Sequence, residues 1–478
     1  MITGTMMEYF CWFLPQKCKL WNKIKVEADN LSKNGITALY LPPAYKGMDG
    51  DKDVGYSVYD LYDLGEFNQK GSIETKYGYK DEYIQAIESL HRNNIHCYGD
   101  IVLNHKMGAD FTEWIKCKEV DFFDRNRVIS EEKNIRAWTG FEFLGRSNKY
   151  SDFKWNYNDF HGVDYDENTN KKSIYLFENK FWNDDVDREN ENYDYLMGCD
   201  IDFSSQRVVD EFIKWGKWYV DIVSLDGFRL DAVKHISAEF YRKWINEIRE
   251  YTGKEMFSVG EYWHWNVNVL FEYINKTDGV MSLFDVPLHY NFYNASNDYN
   301  YDMRKIFDNT LVSKNDIKAV TFVDNHDTEI GASLESSVAR WFKLIAYGLI
   351  LLKEKGYPCI FYYDYYNEDE KISEGLKKLI YIRRYFAYGK ENNYFDNKNI
   401  IGWTREGNEK FKNSGIAVLI SNNGDGDKEM YIGKKFFGQC FIDIIGNRNE
   451  EVYINKQGLG KFFVSDKSIS VWVIKNKI

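Results

Sequence analysis

Asp226-Gly-Phe-Arg-Leu-Asp-Ala-Val-Lys-His235 is the stretch on which the fold turns. Phe228, Leu230 and Ala232 alternate with other residues, the period of a strand with one apolar face. Such a strand seldom carries Asp226, Arg229, Asp231 and Lys234 together, with His235 at its end. Residues two apart share a strand face, so Arg229 and Asp231 are expected side by side. A guanidinium placed there holds the carboxylate ionised and aims it, as a nucleophile requires. Taken alone, the same pattern describes a salt-bridged strand end, because ion-pair networks perturb pKa values without doing chemistry.

Working outward, apolar runs recur near residues 9–14, 36–41, 95–103, 255–260, 279–286, 319–323 and 359–363, with helical stretches such as 79–92 between them. With the opening stretch as the fourth strand, this alternation predicts an α/β fold, a (β/α)8 TIM barrel. The polar residues cluster at strand ends: Asn104-His105, Asp231, Glu261 and Asp324-Asn-His-Asp327. That is where barrel enzymes place their chemistry. The gap from Asn104 to Asp226 is too long for one crossover and predicts an irregular, β-rich subdomain inserted after strand 3, at 105–206. The barrel then comprises 1–104 and 207–389. From 390 to 478, short alternating runs such as 416–420 and 468–474 flank turn clusters such as Asn422-Asn-Gly-Asp-Gly-Asp427, which predicts a C-terminal antiparallel β-sandwich.

Composition narrows the function. A net charge of −12 argues against nucleic acid and anionic membrane surfaces as partners. No apolar run approaches the ~20 residues of a membrane span. The seven cysteines stand singly, without a CxxC pair, as expected of a reducing, cytoplasmic setting. The opening Met1-Ile-Thr-Gly-Thr-Met-Met-Glu8 has no basic region ahead of an apolar core, so no secretory leader is expected. Aromatic residues make up 17% of the chain, more than enough for core packing, and leave rings to line a sugar cleft.

Three carboxylates, Asp231, Glu261 and Asp327, thus fall at three barrel strand ends. Two suffice to cleave a glycosidic bond, one attacking the anomeric carbon and one protonating the leaving oxygen. The apolar neighbours of Glu261 are expected to raise its pKa, and Arg229 to lower that of Asp231, separating the two roles.

The motifs Asp100-Ile-Val-Leu-Asn-His105, Gly227-Phe-Arg-Leu-Asp-Ala-Val-Lys-His235, Gly260-Glu261 and Phe322-Val-Asp-Asn-His-Asp327 follow in that order. In them the chain resembles the α-amylases of glycoside hydrolase family 13, above all the liquefying-type and cytoplasmic bacterial enzymes. The resemblance implies endo-acting, retaining hydrolysis of α-1,4 bonds in starch, glycogen or maltodextrins. It implies Asp231 as nucleophile, Glu261 as acid/base and Asp327 as stabiliser. Tyr56, His105, Arg229, Lys234, His235, Trp263 and His326 would bind substrate or orient the catalytic groups. A calcium would be held by Asn104, Asp194, Asp200 and the His235 carbonyl. A second calcium–sodium cluster in such relatives uses acids that align with His161, Asn183 and Ser204, with Asp202 retained, so that cluster is expected to be weakened or lost. Tyr363 stands where relatives tend to have glycine. No basic residue after Asp327 suits an activating chloride. A monomer is expected. The alternatives are a relative that favours glycosyl transfer or a fixed-length product, and a non-catalytic, transporter-associated subunit, which the retained acids and the missing anchor disfavour.

Overall fold

The computed structural model describes residues 4–475; Met1–Thr3, part of the stretch on which no leader was expected, lie outside them. Eight parallel strands close a barrel: β1 (Met6–Glu8), β2 (Ala38–Leu41), β3 (His96–Ile101), β4 (Gly227–Leu230), β5 (Phe257–Gly260), β6 (Ser282–Phe284), β7 (Ala319–Phe322) and β8 (Tyr357–Phe361). Each pairs with its neighbours in chain order, and β1 closes on β8 with Met6 opposite Cys359. The principal helices between and after them are α1 (Leu20–Asn34), α2 (Lys80–Arg92), α3 (Gln206–Val223), α4 (Ala238–Thr252), α5 (Val267–Lys276), α6 (Val286–Asn297), α7 (Lys343–Leu352) and α8 (Glu370–Tyr385). Buried Trp21, Trp215 and Trp244 carry α1, α3 and α4 into the core around the strands. All ten residues of α7 are buried, as its apolar run demands.

Register decides what the barrel mouth presents. Arg229 lies opposite Asp100 of β3 on one side and Val259 of β5 on the other, so its side chain reaches groups on both neighbours. Gly227 allows the close approach: a Cβ there would sit 2.1 Å from the Phe257 carbonyl oxygen.

The strands are shorter than the apolar runs expected from the sequence, and at three of them the difference shapes the barrel mouth. The first ends at Glu8, and Tyr9 to Leu14 form the loop after it: Tyr9 and Phe10 are buried, whereas Phe13 is exposed. The fourth ends at Leu230, and Ala232 adopts a left-handed conformation (φ 46°) that turns the chain into Val233–His235 instead of continuing an apolar face. The eighth ends at Phe361, and Tyr362–Tyr365 is a helical turn.

The inserted segment supplies a six-stranded antiparallel sheet, in the order His105–Lys106, Cys199–Ile201, Phe160–Asp166, Lys171–Phe177, Phe111–Val120 and Lys133–Gly140. Its first strand in this order leads directly off the end of β3 and pairs antiparallel with Cys199–Ile201, the last strand of the insert in the chain, which brings Asp200 beside His105. At the other end of the chain, a six-stranded antiparallel sheet between Glu391 and Ile474 packs on the hairpin of Gly426–Tyr431 with Leu459–Val464, around Leu419, Met430, Phe462 and Trp472. Among the described residues no helix is long and apolar enough to cross a membrane. All seven cysteines are free thiols.

Candidate active site

Arg229, fully buried at the end of β4, organises the barrel mouth. Its Nη1 donates to Asp231 Oδ1 at 2.6 Å and to Asp100 Oδ1 at 2.9 Å, and its Nη2 lies 2.7 Å from Glu261 Oε2. One guanidinium therefore serves three buried carboxylates. Burial raises Asp100, Asp231 and Glu261 above the ordinary carboxylate range, with Arg229 opposing it in each case. The expected contrast, with Arg229 lowering Asp231 alone, is thus corrected: Arg229 touches both acids, and burial outweighs it at both. Three carboxylates share one cation in a buried site, so keeping all of them ionised is costly. Glu261 Oε2 takes the Arg229 bond and lies 3.3 Å from the Ala232 amide, whereas its Oε1 is buried without a partner. That oxygen faces no hydrogen-bond partner among the described residues.

Asp327 follows β7, with Oδ1 accepting from Ser333 Oγ at 3.0 Å. Burial raises it too, and its charge adds to the rise at Asp231 and Glu261. His326 Nε2 lies 3.4 Å from Asp327 Oδ2, while its Nδ1 donates to Glu8 Oε1 at 2.7 Å. Tyr56 stacks on His326 with ring centres 5.1 Å apart and donates its hydroxyl to Asp100 Oδ2 at 2.6 Å. His105 donates from Nε2 to the Tyr56 carbonyl at 2.9 Å, its Nδ1 is buried without a partner, and burial lowers its pKa to about 4.

Trp263, Lys234, Glu189 and Tyr193 line a hollow of about 960 Å³ on the β4–β5 side. Lys234 pairs with Glu189 at 2.7 Å, and Trp263 Nε1 donates to the Tyr290 hydroxyl at 2.9 Å. The His235 ring is buried instead, with Nδ1 donating to the Tyr193 carbonyl at 2.6 Å, and burial lowers its pKa to about 3.

Two residues escaped the sequence analysis. Trp12 lies parallel to Tyr56 and His326, 5.7 and 6.0 Å away, which makes a three-ring stack. Glu8 holds the far side of His326. Trp12 sat inside the apolar run expected as the first strand and Glu8 just ahead of it, and only the break of the strand after Glu8 would have exposed them.

Asn104, Asp194 and Asp200 are all buried where the inserted sheet meets the barrel. Their donors, with a backbone carbonyl, are oxygens that suit a hard dication. One observation fits such an ion: burial together with the Asp194 charge raises Asp200 well above its usual range. The same carboxylates face His161. Its Nδ1 is 3.0 Å from both Asp194 Oδ2 and Asp200 Oδ2, and its Nε2 is 3.1 Å from Asp202 Oδ1. Burial alone would lower this histidine, but the bonds to the three aspartates raise it well above its ordinary value. Lys180 Nζ closes on Asp202 Oδ2 at 2.5 Å, and Ser204 Oγ donates to Asp202 Oδ1 at 2.5 Å. Asn183 turns its side-chain oxygen to the Asp185 amide. His161, Asp194 and Asp200 form a buried cluster able to hold a metal.

Residues 21–378 match the model of the alpha amylase catalytic domain. The chain belongs to the alpha-amylase family, glycoside hydrolase family 13. Residues 416–473 match the family's C-terminal model. The chain is 52% identical to an alpha-amylase of Geobacillus stearothermophilus, over 98% of this chain and 87% of that one. It is 49% identical to a glucan 1,4-alpha-maltohexaosidase of a Bacillus species, covering 99% and 92%. It is 42% identical to the cytoplasmic alpha-amylase of Escherichia coli, covering 99% of both chains. Retaining hydrolysis of α-1,4-glucan bonds is the family's reaction, and the carboxylate cluster at the mouth of this barrel is equipped for it.

Proposed function

We propose that this chain is an endo-acting α-amylase of starch, glycogen or maltodextrins, working in the cytoplasm as a monomer, with Asp231 as nucleophile and Glu261 as acid/base. The observation that carries the assignment is the Arg229 fork, which engages one oxygen of each acid and leaves Glu261 Oε1 free. In the first step an Asp231 oxygen bonds to the anomeric carbon as the C–O bond breaks, and the Glu261 proton passes to the departing oxygen. In the second, Glu261 takes a proton from water, the water oxygen bonds to the anomeric carbon, and Asp231 leaves with its electron pair, so the anomeric configuration is retained. Asp327 and His326 hold sugar hydroxyls and distort the ring, and Tyr56 packs beneath it. Trp263 and Lys234 contact the leaving portion from their hollow. His105 has one unpartnered nitrogen for a hydroxyl.

One calcium, held by Asn104, Asp194, Asp200 and the His235 carbonyl, would tie the inserted sheet to the barrel end that carries Asp231. A second metal cluster is not supported: the oxygens of Asp194, Asp200 and Asp202 that it would use already accept from His161 and Lys180. The kinship with the maltohexaosidase supports a narrower second reading, in which product length is fixed.

Maltoheptaose followed by NMR reports the bond cleaved and the first-formed anomer together. The assignment requires an α-anomer and loss of at least about 10³-fold in kcat for Glu261→Gln. A β-anomer, or near wild-type turnover in that variant, overturns it.

A further inference from the structure

Asp187 comes from the inserted segment, yet its bonds reach the ends of β4 and β5. Its main-chain amide donates to the Lys234 carbonyl at 2.9 Å, in the turn Val233–His235 that follows β4. Its Oδ2 accepts from the Tyr262 hydroxyl at 2.5 Å, and Tyr262 is the residue after Glu261. One residue of the insert therefore grips the two segments that carry the proposed nucleophile and the proposed acid/base.

The other carboxylate oxygen acts on the leaving-group hollow. Asp187 Oδ1 accepts from the Glu189 amide at 2.7 Å, and Glu189 pairs with Lys234 at 2.7 Å. Lys234 Nζ also lies 3.3 Å from the Trp263 carbonyl. The Asp187 carbonyl accepts from the Tyr193 amide at 2.9 Å, and the Tyr193 carbonyl accepts from His235 Nδ1 at 2.6 Å.

An acid that only anchored a loop would not need this arrangement. Asp187 is buried, and both of its oxygens accept from neutral donors. Burying a carboxylate on such terms costs desolvation that a neutral side chain would avoid. Tyr262 is buried as well, with its ring against Tyr273 at 4.9 Å between centres. Burial and the bond to Asp187 both raise its hydroxyl, so it stays a donor. The Glu261 main chain is held by the Leu230 carbonyl at 2.9 Å and the Val233 amide at 3.0 Å, and the bond from Tyr262 to Asp187 adds a tether just beyond it.

We infer that Asp187 is a positioning residue for glycosidic bond cleavage, which aims Glu261 through Tyr262 and Lys234 through Glu189. The inference rests on the roles proposed above for Glu261 and Lys234. It gives the inserted segment a part in proton donation that does not pass through calcium.

A substrate that needs no proton donor separates aiming from packing. Fluoride leaves without a proton, whereas a glucosyl oxygen needs one. For Asp187→Ala, kcat/KM for maltoheptaose is expected to fall roughly 10²-fold, the size of a misaimed acid, while kcat/KM for α-maltotriosyl fluoride stays within a few-fold of the wild type. Tyr262→Phe keeps the ring against Tyr273, removes only the hydroxyl, and is expected to show the same selective loss. The double variant should be no worse than Asp187→Ala alone, since the two changes break one bond. Equal losses on the two substrates, additive losses in the double variant, or wild-type turnover of maltoheptaose by Tyr262→Phe overturn the positioning role while hydrolysis by the wild type stands. A wild type that leaves maltoheptaose intact, or a Glu261→Gln variant that hydrolyses it normally, overturns the underlying roles instead.

Discussion

His161 Nδ1 lies at the same distance, 3.0 Å, from Asp194 Oδ2 and Asp200 Oδ2. A second cation placed on that side of Asp194 and Asp200 would need the Oδ2 atoms that the imidazole already engages. Beyond it, Asp202 is held by His161 Nε2 and Lys180, and these bonds overcome the burial that would raise it and keep its carboxyl far below the usual range. Side-chain nitrogens therefore join parts of the inserted segment that would otherwise be joined by bound cations.

The expected consequence is a chain with one tight calcium and modest sensitivity to chelators beyond it. Metal analysis after exhaustive dialysis should give about one calcium per chain, since hard oxygen ligands remain only around Asn104. His161→Asp combined with Asn183→Asp and Ser204→Asp should raise that ratio and make the melting temperature depend steeply on calcium, because an ion that binds only the folded state stabilises it by mass action. Two or more tight calcium ions in the wild type would refute the reading. So would a zinc ion whose binding is abolished by His161→Gln.

Glu8 makes a different kind of claim. Its Oε1 accepts from His326 Nδ1 at 2.7 Å and from the His326 amide at 3.2 Å, which fixes the ring and leaves Nε2 toward Asp327. Burial raises the Glu8 carboxyl, with His326 opposing it. Glu8→Leu should lower kcat roughly 10²-fold with little change in KM, because a misaimed histidine costs more in the transition state than in the bound complex. Glu8→Gln keeps an acceptor at Nδ1 and should recover most of the loss. Parallel changes in kcat and KM, or failure of Gln to outperform Leu, would reduce Glu8 to a packing residue.

Much of this site was legible because catalysis uses the ends of strands. Asp231 and Glu261 directly follow apolar runs and Asp327 stands four residues beyond Val323, so strand ends, their spacing and the family motifs together point to them. The grip of Arg229 on Glu261 was not legible, because it depends on the pairing of β4 with β5 and on a carboxylate thirty-two positions away. Glu8 and Trp12 were hidden for a similar reason: their neighbours are apolar, and nothing local marks where β1 leaves the barrel. At His161 the identity of the residue was visible but its effect was not. Histidine looks like a poor calcium ligand in the sequence, and only the fold shows both of its nitrogens turned to carboxylates. The expected pKa contrast failed on the same ground, since neighbours along the chain say little about burial from across a barrel.

Beneath the mouth, Lys343 Nζ lies 2.7 Å from Asp324 Oδ2 and 2.7 Å from Asp364 Oδ1, and Tyr347 donates to Asp364 Oδ2 at 2.6 Å. All of these groups are buried. Lys343→Met would leave two carboxylates without their cation and should destabilise the protein by roughly 3–5 kcal/mol, read as a drop in the urea midpoint. Adding Asp324→Asn and Asp364→Asn should restore much of it, since the penalty lies in stranded charge. No recovery in the triple variant would show that the lysine acts by packing alone.

Acid should weaken the fold through its buried histidines, and His289 gives the sign. Its Nδ1 donates to the Val323 carbonyl at 2.7 Å, its Nε2 lies 2.9 Å from Ser336 Oγ, and burial lowers its pKa from 6.5 to about 4. Above pH 6.5 neither the folded nor the unfolded chain protonates it, and it imposes no penalty. Between 6.5 and 4 the unfolded chain takes up the proton and the folded chain does not, so stability falls as pH falls. By pH 4 this one group removes about 3 kcal/mol relative to pH 7. His105 and His235, lowered to about 4 and 3, act in the same direction. Unfolding free energies measured by denaturant from pH 7.5 to 4.5 should slope downward, and His289→Gln, which cannot titrate, should remove about one proton from that slope. Coincident slopes for the variant and the wild type would show that His289 is protonated in the folded chain, contrary to its burial between Val323 and Ser336.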